Sequence, residues 1–103
     1  MKLALIVYSE RCSSRVMEML EATHIDYYTR WERALGAGHG TPPHLGAARA
    51  LGGSGVTNCV MMVAFQQEAS LTALIEEITR ANAEIERTDD KIRAFVVPLE
   101  RIV

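Results

Sequence analysis

The sequence lacks glycine everywhere except in one stretch. All seven glycines of the 103 residues lie between positions 36 and 55, in the segment GAGHGTPPHLGAARALGGSG, together with two of the three prolines and two of the three histidines. Glycine and proline concentrate where the chain turns, because glycine reaches positive φ and proline fixes φ for a turn. We therefore predict a single domain over residues 1–103 that is interrupted by one long loop.

Other shortages exclude whole classes of function. The net charge is only −2 and the 11 lysine and arginine residues are scattered, so the chain has no basic field for binding nucleic acid. No apolar run approaches the roughly 18 residues of a membrane span, so we expect no direct membrane insertion. The two cysteines, Cys12 and Cys59, form no close metal or redox pair. We expect a cytoplasmic protein with reduced thiols.

The spacing of apolar residues predicts four strands and two helices. Continuous apolar runs are typical of strands buried on both faces, alternation is typical of half-exposed strands, and spacing of three and four is typical of amphipathic helices. By these criteria the strands are 3–8, 25–32, 56–65 and 91–99, and the helices are 13–24 and 70–85. The second helix has a buried face that we predict to consist of Leu71, Leu74, Ile75, Ile78, Ala81 and Ile85.

The order strand, helix, strand, strand, helix, strand predicts an α+β protein. With right-handed crossovers it gives the ferredoxin-like βαββαβ arrangement, a four-stranded antiparallel sheet with two helices on one face and a long loop between strands 2 and 3. Strands 1 and 3 lie at the centre of such a sheet, and they are the two that are apolar on both faces. Since the helices cover only one face, we expect the other face to pack against further copies of the chain.

Three segments of this chain resemble the PII signal-transduction family, trimeric ferredoxin-like regulators with a mobile T-loop between strands 2 and 3. ALGAGHG, residues 34–40, resembles the base of the T-loop and places Gly36 and Gly38 at the glycine positions. TDDKI, residues 88–92, resembles the loop before the last strand, where Asp89 and Lys91 match and Asp90 replaces a glycine. PLERIV, at the end of the sequence, resembles the segment that leads into the last arginines of the family. The flexible T-loop would then be about 34–56.

The resemblance implies a cytoplasmic, non-enzymatic sensor that forms a homotrimer and binds a nucleotide in the clefts between subunits. Its loop would dock on a membrane transporter or a regulatory enzyme. Gly36, Gly38, Asp89 and Lys91 are the candidate ligand-binding residues. Asp90 adds negative charge near the phosphates, and the later arginines of the family have no counterpart in this sequence, so we expect AMP or ADP rather than ATP. The sequence also contains no arrangement that resembles a catalytic triad or a carboxylate dyad.

Two alternatives stay open at this point. His39 and His44 lie five positions apart in the loop, and imidazole is a common transition-metal ligand, so a divalent metal is possible. In that case the protein would resemble the CutA-like cation-tolerance trimers, which share the fold. In the other alternative the loop recognises a partner without any ligand.

Overall fold

The computed structural model describes residues 1–34, 57–87 and 90–103. Within these ranges the chain forms the four strands and two helices that the sequence predicts, with a short 3₁₀ turn at Glu10–Cys12. The strands are β1 (Lys2–Ser9), β2 (Thr29–Ala34), β3 (Asn58–Phe65) and β4 (Arg93–Pro98), and the helices are α1 (Ser13–Ala22) and α2 (Glu68–Glu84). Neither of these two helices has the length and apolar character that a membrane span requires.

The strands form one antiparallel sheet in the order β2-β3-β1-β4. β1 pairs with β3 along its whole length, from Lys2 opposite Phe65 to Ser9 opposite Asn58. β4 pairs with the other side of β1, and β2 pairs with the other side of β3. β1 and β3 are therefore the central strands, and the ferredoxin-like prediction is confirmed.

The core lies between one face of the sheet and the two helices. Side chains alternate between the faces of a strand, and the helix-facing positions are at most 4% exposed: Ala4, Ile6 and Tyr8 on β1, and Cys59, Met61, Val63 and Phe65 on β3. The helices meet them with Val16, Met19, Leu20, Leu71, Leu74, Ile78 and Ala81. Full burial of a large apolar side chain contributes roughly 1.5 to 3 kcal/mol, so this layer is the main source of stability.

The opposite face of the sheet, here called the open face, is also apolar. Directly opposed residues in antiparallel strands share a face, so Leu5 lies beside both Met62 and Phe95, and Val60 lies beside Trp31. Trp31 and Phe95 are 49% and 41% exposed. The apolar residues of the open face are Leu3, Leu5, Val7, Trp31, Val60, Met62, Ala64, Phe95 and Val97. Neither helix covers them, as the sequence predicted.

The second strand begins four residues later than predicted, at Thr29 instead of Ile25. Ile25 instead completes the C-terminal cap of α1, because its amide donates a hydrogen bond to the carbonyl of Leu20 at 2.8 Å and its side chain is only 4% exposed. His24, with φ of 58°, makes the sharp turn that directs Ile25 into the core. Apolar and polar residues do alternate from residue 25 onward, but the prediction of a strand was wrong for residues 25–28.

The limits of α2 and of the last strand also differ from the prediction. α2 begins two residues earlier and ends at Glu84, so Ile85 follows the helix. Ile75 is 41% exposed, because the helix buries a narrow face and this residue lies to one side of it. β4 begins at Arg93, and the fully buried Ile92 precedes it.

Candidate functional site

The strand ends that border the predicted loop and the segment 88–92 lie at one end of the sheet, which we call the loop end. Ala34, the last residue of β2, is opposite Asn58 at the start of β3, and Asn58 is opposite Ser9 at the end of β1. On the other side of β1, Arg93 at the start of β4 is opposite Val7. The chain therefore leaves β2, enters β3 and enters β4 at the same end of the sheet.

The entrance to β3 is tied to the end of β1 by two hydrogen bonds. The backbone amide of Glu10 donates to the carbonyl of Thr57 at 2.9 Å, and the Thr57 hydroxyl donates to the Glu10 carboxylate at 3.1 Å. Ser9 caps the 3₁₀ turn that follows, since its hydroxyl accepts from the Arg11 amide at 3.3 Å. These hydrogen bonds fix the position of Thr57, the residue through which the chain enters β3.

Lys91 is held at the loop end by the last turns of α2. Its ammonium donates to the backbone carbonyl of Asn82 at 2.7 Å. The side chain of Asn82 binds the next residue, Ile92, twice: the amide nitrogen donates to the Ile92 carbonyl at 2.8 Å and the amide oxygen accepts from the Ile92 amide at 2.7 Å. A lysine ammonium has three donors, and among the described residues the Asn82 carbonyl accepts from one of them.

Asp90 lies on the other side of Lys91 and contacts the start of α1. Its carbonyl accepts a hydrogen bond from the Cys12 thiol, with sulfur and oxygen 3.6 Å apart. Its carboxylate lies 3.9 Å from the Arg87 guanidinium. Burial raises the pKa of the Cys12 thiol, and the Asp90 carboxylate raises it further, while Arg15 and Arg11 oppose the change. The thiol therefore stays protonated at neutral pH and remains a donor to the Asp90 carbonyl.

A cavity lies at the end of the sheet opposite the loop end. It has a volume of about 470 Å³ and lies between the turn after α1 and the start of α2. Its described lining consists of His24, Tyr27, Ala64, Gln66, Gln67, Ser70 and Ile102. Tyr27 contacts Phe65 edge to face, with ring centroids 6.4 Å apart. These lining residues offer amide, hydroxyl and imidazole groups and no carboxylate, which suits a polar, uncharged group such as a nucleobase or a sugar.

Of the predicted site residues, the structure places Lys91. Gly36, Gly38 and Asp89 lie outside the described residues, as do the two candidate metal ligands His39 and His44. Among the residues that are described, no group of three or more His, Cys, Asp and Glu side chains is arranged to hold a metal ion. The nucleotide and metal assignments in the loop therefore stay predictions.

Sequence reasoning missed Asn82 and the cavity. Asn82 appears in the sequence as one polar residue on a helix, and its contact with Ile92 crosses a turn that no local pattern encodes. Tyr27 was assigned to a strand, where an aromatic ring usually packs against a neighbouring strand. A correct end for α1 would have placed His24 and Tyr27 in one turn, which is the signal that was available.

No protein-family model matches the sequence, and no curated protein matches it significantly. A search of solved structures gave a match over the whole chain with CPII, described as a nitrogen regulatory PII-like protein from Thiomonas intermedia K12 bound to ADP, AMP and bicarbonate. The match covers 99% of this chain and 94% of that one, with a TM-score of 0.58 and 14% identity.

The chain has a PII-like fold. A TM-score of 0.58 over nearly all of both chains fits the order of strands and helices described above. It confirms the architecture that the resemblance implied, including the position of a connection between β2 and β3. At 14% identity the likeness is one of fold. Any role for the loop end must therefore be argued from the residues of this chain.

Proposed function

We propose that the protein is a non-enzymatic regulator that senses an adenine nucleotide with one or two phosphates in clefts between the subunits of a homotrimer. Nucleotide binding would alter the connection between β2 and β3, residues 34–56, which would dock on a partner such as a membrane transporter or a regulatory enzyme. The supporting observation is the position of Lys91, which is fixed at the same end of the sheet where this connection begins and ends. A cation there can link phosphate binding to the state of the connection.

A homotrimer would let one ligand use both the cavity and the loop end. The cavity is lined by Ala64 and Gln66 at one end of β3, the connection enters at Asn58 at the other end, and the strand has 8 residues. At about 3.3 Å per residue the two ends are more than 20 Å apart, too far for one mononucleotide within a single subunit. In a cyclic head-to-tail assembly the loop end of one subunit can face the cavity of the next. We propose that the base lies in the cavity and the phosphates at Lys91 of the neighbour.

The open face supports the same assembly. Its exposed residues include Trp31, Phe95 and Val97 at 49%, 41% and 44%, which is a large apolar surface for a chain of this size. Packing three such faces around an axis would remove them from water and would leave the helices outside. The free thiols Cys12 and Cys59 are compatible with the reducing cytoplasm, where we place the protein.

Asp90 and Lys91 support a nucleotide with few phosphates. The Asp90 carboxylate is adjacent in sequence to the cation and is only loosely compensated by Arg87 at 3.9 Å. Each additional phosphate brings more negative charge toward this carboxylate, so the benefit of a longer polyphosphate is reduced. The regulatory role is proposed by analogy with CPII, a nitrogen regulatory PII-like protein bound to ADP, AMP and bicarbonate.

Native mass spectrometry and calorimetry test the proposal together. Native mass spectrometry should show a trimer, and calorimetry should show that ADP or AMP binds more tightly than ATP. Lys91→Met should weaken ADP binding by roughly tenfold or more, the value of one charge-assisted contact. Lys2→Met is the matched control, because Lys2 is the only other lysine and lies at the far end of β1. A stable monomer, or equal ADP affinity in the two variants, would contradict the proposal.

The same experiment decides the metal alternative. If none of the three nucleotides produces heat while zinc does, and His44→Ala removes the zinc signal, a metal-handling function should replace the nucleotide proposal. If neither nucleotides nor metals bind, a passive interaction module is the remaining reading.

A further inference from the structure

Asn82 connects the end of α2 to Lys91 and Ile92, the last two residues of the segment TDDKI. Its side chain makes two hydrogen bonds with the backbone of Ile92, at 2.8 and 2.7 Å, and its backbone carbonyl accepts from the Lys91 ammonium at 2.7 Å. We infer that Asn82 is the positioning residue for Lys91: it sets where the cation stands before a ligand arrives. The role of Lys91 in binding a nucleotide rests on the proposed function. The positioning of Lys91 by Asn82 rests on the contacts alone.

The two hydrogen bonds to Ile92 have the pattern of a strand neighbour. An asparagine side chain presents one donor and one acceptor side by side, which match the carbonyl and the amide of one residue. Ile92 precedes β4 and its side chain is 1% exposed in the core. The Asn82 amide therefore extends the pairing of β4 by one residue, and the buried Ile92 side chain prevents that residue from turning away.

The segment is also held from the opposite side. The Asp90 carbonyl accepts from the Cys12 thiol, so the residues on both sides of Lys91 are attached, one to the start of α1 and one to α2. A lysine side chain loses considerable rotamer entropy when it is ordered, and here the contact with the Asn82 carbonyl orders it in advance. A ligand that accepts from this ammonium would then bind without that cost.

No other residue in the described ranges combines these contacts. Thr79, on the same helix, directs its hydroxyl to the carbonyl of Ile75 within the helix at 2.8 Å. Thr79→Ala is therefore a matched control that removes a side-chain hydrogen bond from α2 but leaves the Lys91 segment untouched. Asn82→Ala should preserve the helix, because alanine is the better helix former of the two.

The first arm of the test needs no ligand. Hydrogen exchange should show the Ile92 amide exchanging about tenfold faster in Asn82→Ala than in the wild type, and unchanged in Thr79→Ala. The substitution retains the backbone carbonyl that Lys91 contacts but frees Ile92, so the Lys91 segment should move away from that carbonyl. Acylation followed by mass spectrometry should then show a higher ratio of Lys91 to Lys2 labelling in Asn82→Ala. Lys2 is a built-in reference, since the chain has only these two lysines. An Ile92 amide and a labelling ratio that both match the wild type would overturn the inference.

The second arm is a double-mutant cycle with ADP as the probe. Asn82→Ala should weaken ADP binding by about tenfold in the wild-type background and by little in the Lys91→Met background, because the residue acts through Lys91. Equal effects in both backgrounds would mean that Asn82 merely supports the fold, and would overturn the inference.

Two further outcomes are separated by design. If the wild type binds no ADP, the proposed function fails, and the exchange and labelling results alone decide whether Asn82 positions Lys91. If Asn82→Ala does not fold, Asn82→Leu replaces it. Leucine removes both the acceptor for the Ile92 amide and the donor to the Ile92 carbonyl and is a good helix former, so it should accelerate exchange at Ile92 in the same direction.

Discussion

The phenol of Tyr8 should make the stability of the protein fall at high pH in a specific interval. Tyr8 is 1% exposed, and its burial, with a smaller contribution from Cys59 and opposed by Arg30, raises its pKa to about 12. In the unfolded chain a tyrosine ionises near pH 10, so between about pH 10 and 12 the phenol is ionised in the unfolded state but still neutral in the folded state. The contribution of the neutral Tyr8 phenol to the free energy of unfolding is fully present below about pH 10 and is lost as the pH rises to about 12. At pH 11 the loss should be about 1.4 kcal/mol, the value of one pKa unit.

The assay is urea unfolding at about pH 9 and about pH 11 for the wild type and for Tyr8→Phe. Phenylalanine keeps the ring and removes the ionising group, so every other titrating group contributes equally to both proteins. The wild type should lose about 1.4 kcal/mol more than the variant between the two pH values. An equal loss in both proteins would show that the Tyr8 phenol is not held in its neutral form by burial. Absorbance of tyrosinate, wild type minus variant, gives an independent check of the midpoint.

Three other substitutions have definite expected outcomes. His24→Gly should raise the free energy of unfolding by up to about 1 kcal/mol, because φ of 58° is unfavourable for histidine, and a loss in urea unfolding would contradict this. Met61→Ala should lower it by about 2 to 5 kcal/mol, since Met61 is 0% exposed at the centre of the sheet, and a thermal midpoint like the wild type would argue against that packing. Asp90→Asn should strengthen ATP binding by roughly two- to fivefold in calorimetry and AMP binding by less, and an equal gain for both would show that its charge does not set the preference.

The sequence was most informative where one local pattern determines the structure. β1 and β3 were predicted from unbroken apolar runs, and both were confirmed as central strands, since each has a paired neighbour on both sides. The apolar open face followed from the same observation. The helical spacing in α2 predicted its buried face except at two residues. Ile75 lies to one side of the packed face, and Ile85 follows the end of the helix.

The failures occurred where a distant contact decides the local structure. The start of β2 was wrong because the hydrogen bond from Ile25 to Leu20 withdraws that residue into the core, although its neighbours alternate like a strand. Lys91 was identified by resemblance, but its docking on Asn82 depends on how α2 and β4 meet, which has no trace in the spacing of residues. The assignments of Gly36, Gly38 and Asp89 concern residues outside the described ranges, and they stay predictions.

The pairing of β1 with β4 has a consequence for how the chain folds. Lys2 lies opposite Pro98, and the amide of Leu99 donates to the carbonyl of Met1 at 3.0 Å, so the first strand made is completed by the last. Contacts between such distant positions slow folding, because a long loop must close before they form. Until β4 has been synthesised, one edge of β1 has no partner, and an apolar strand with an open edge is prone to pair with other chains. We expect nascent chains that stall before Arg93 to associate through this edge and to depend on chaperones.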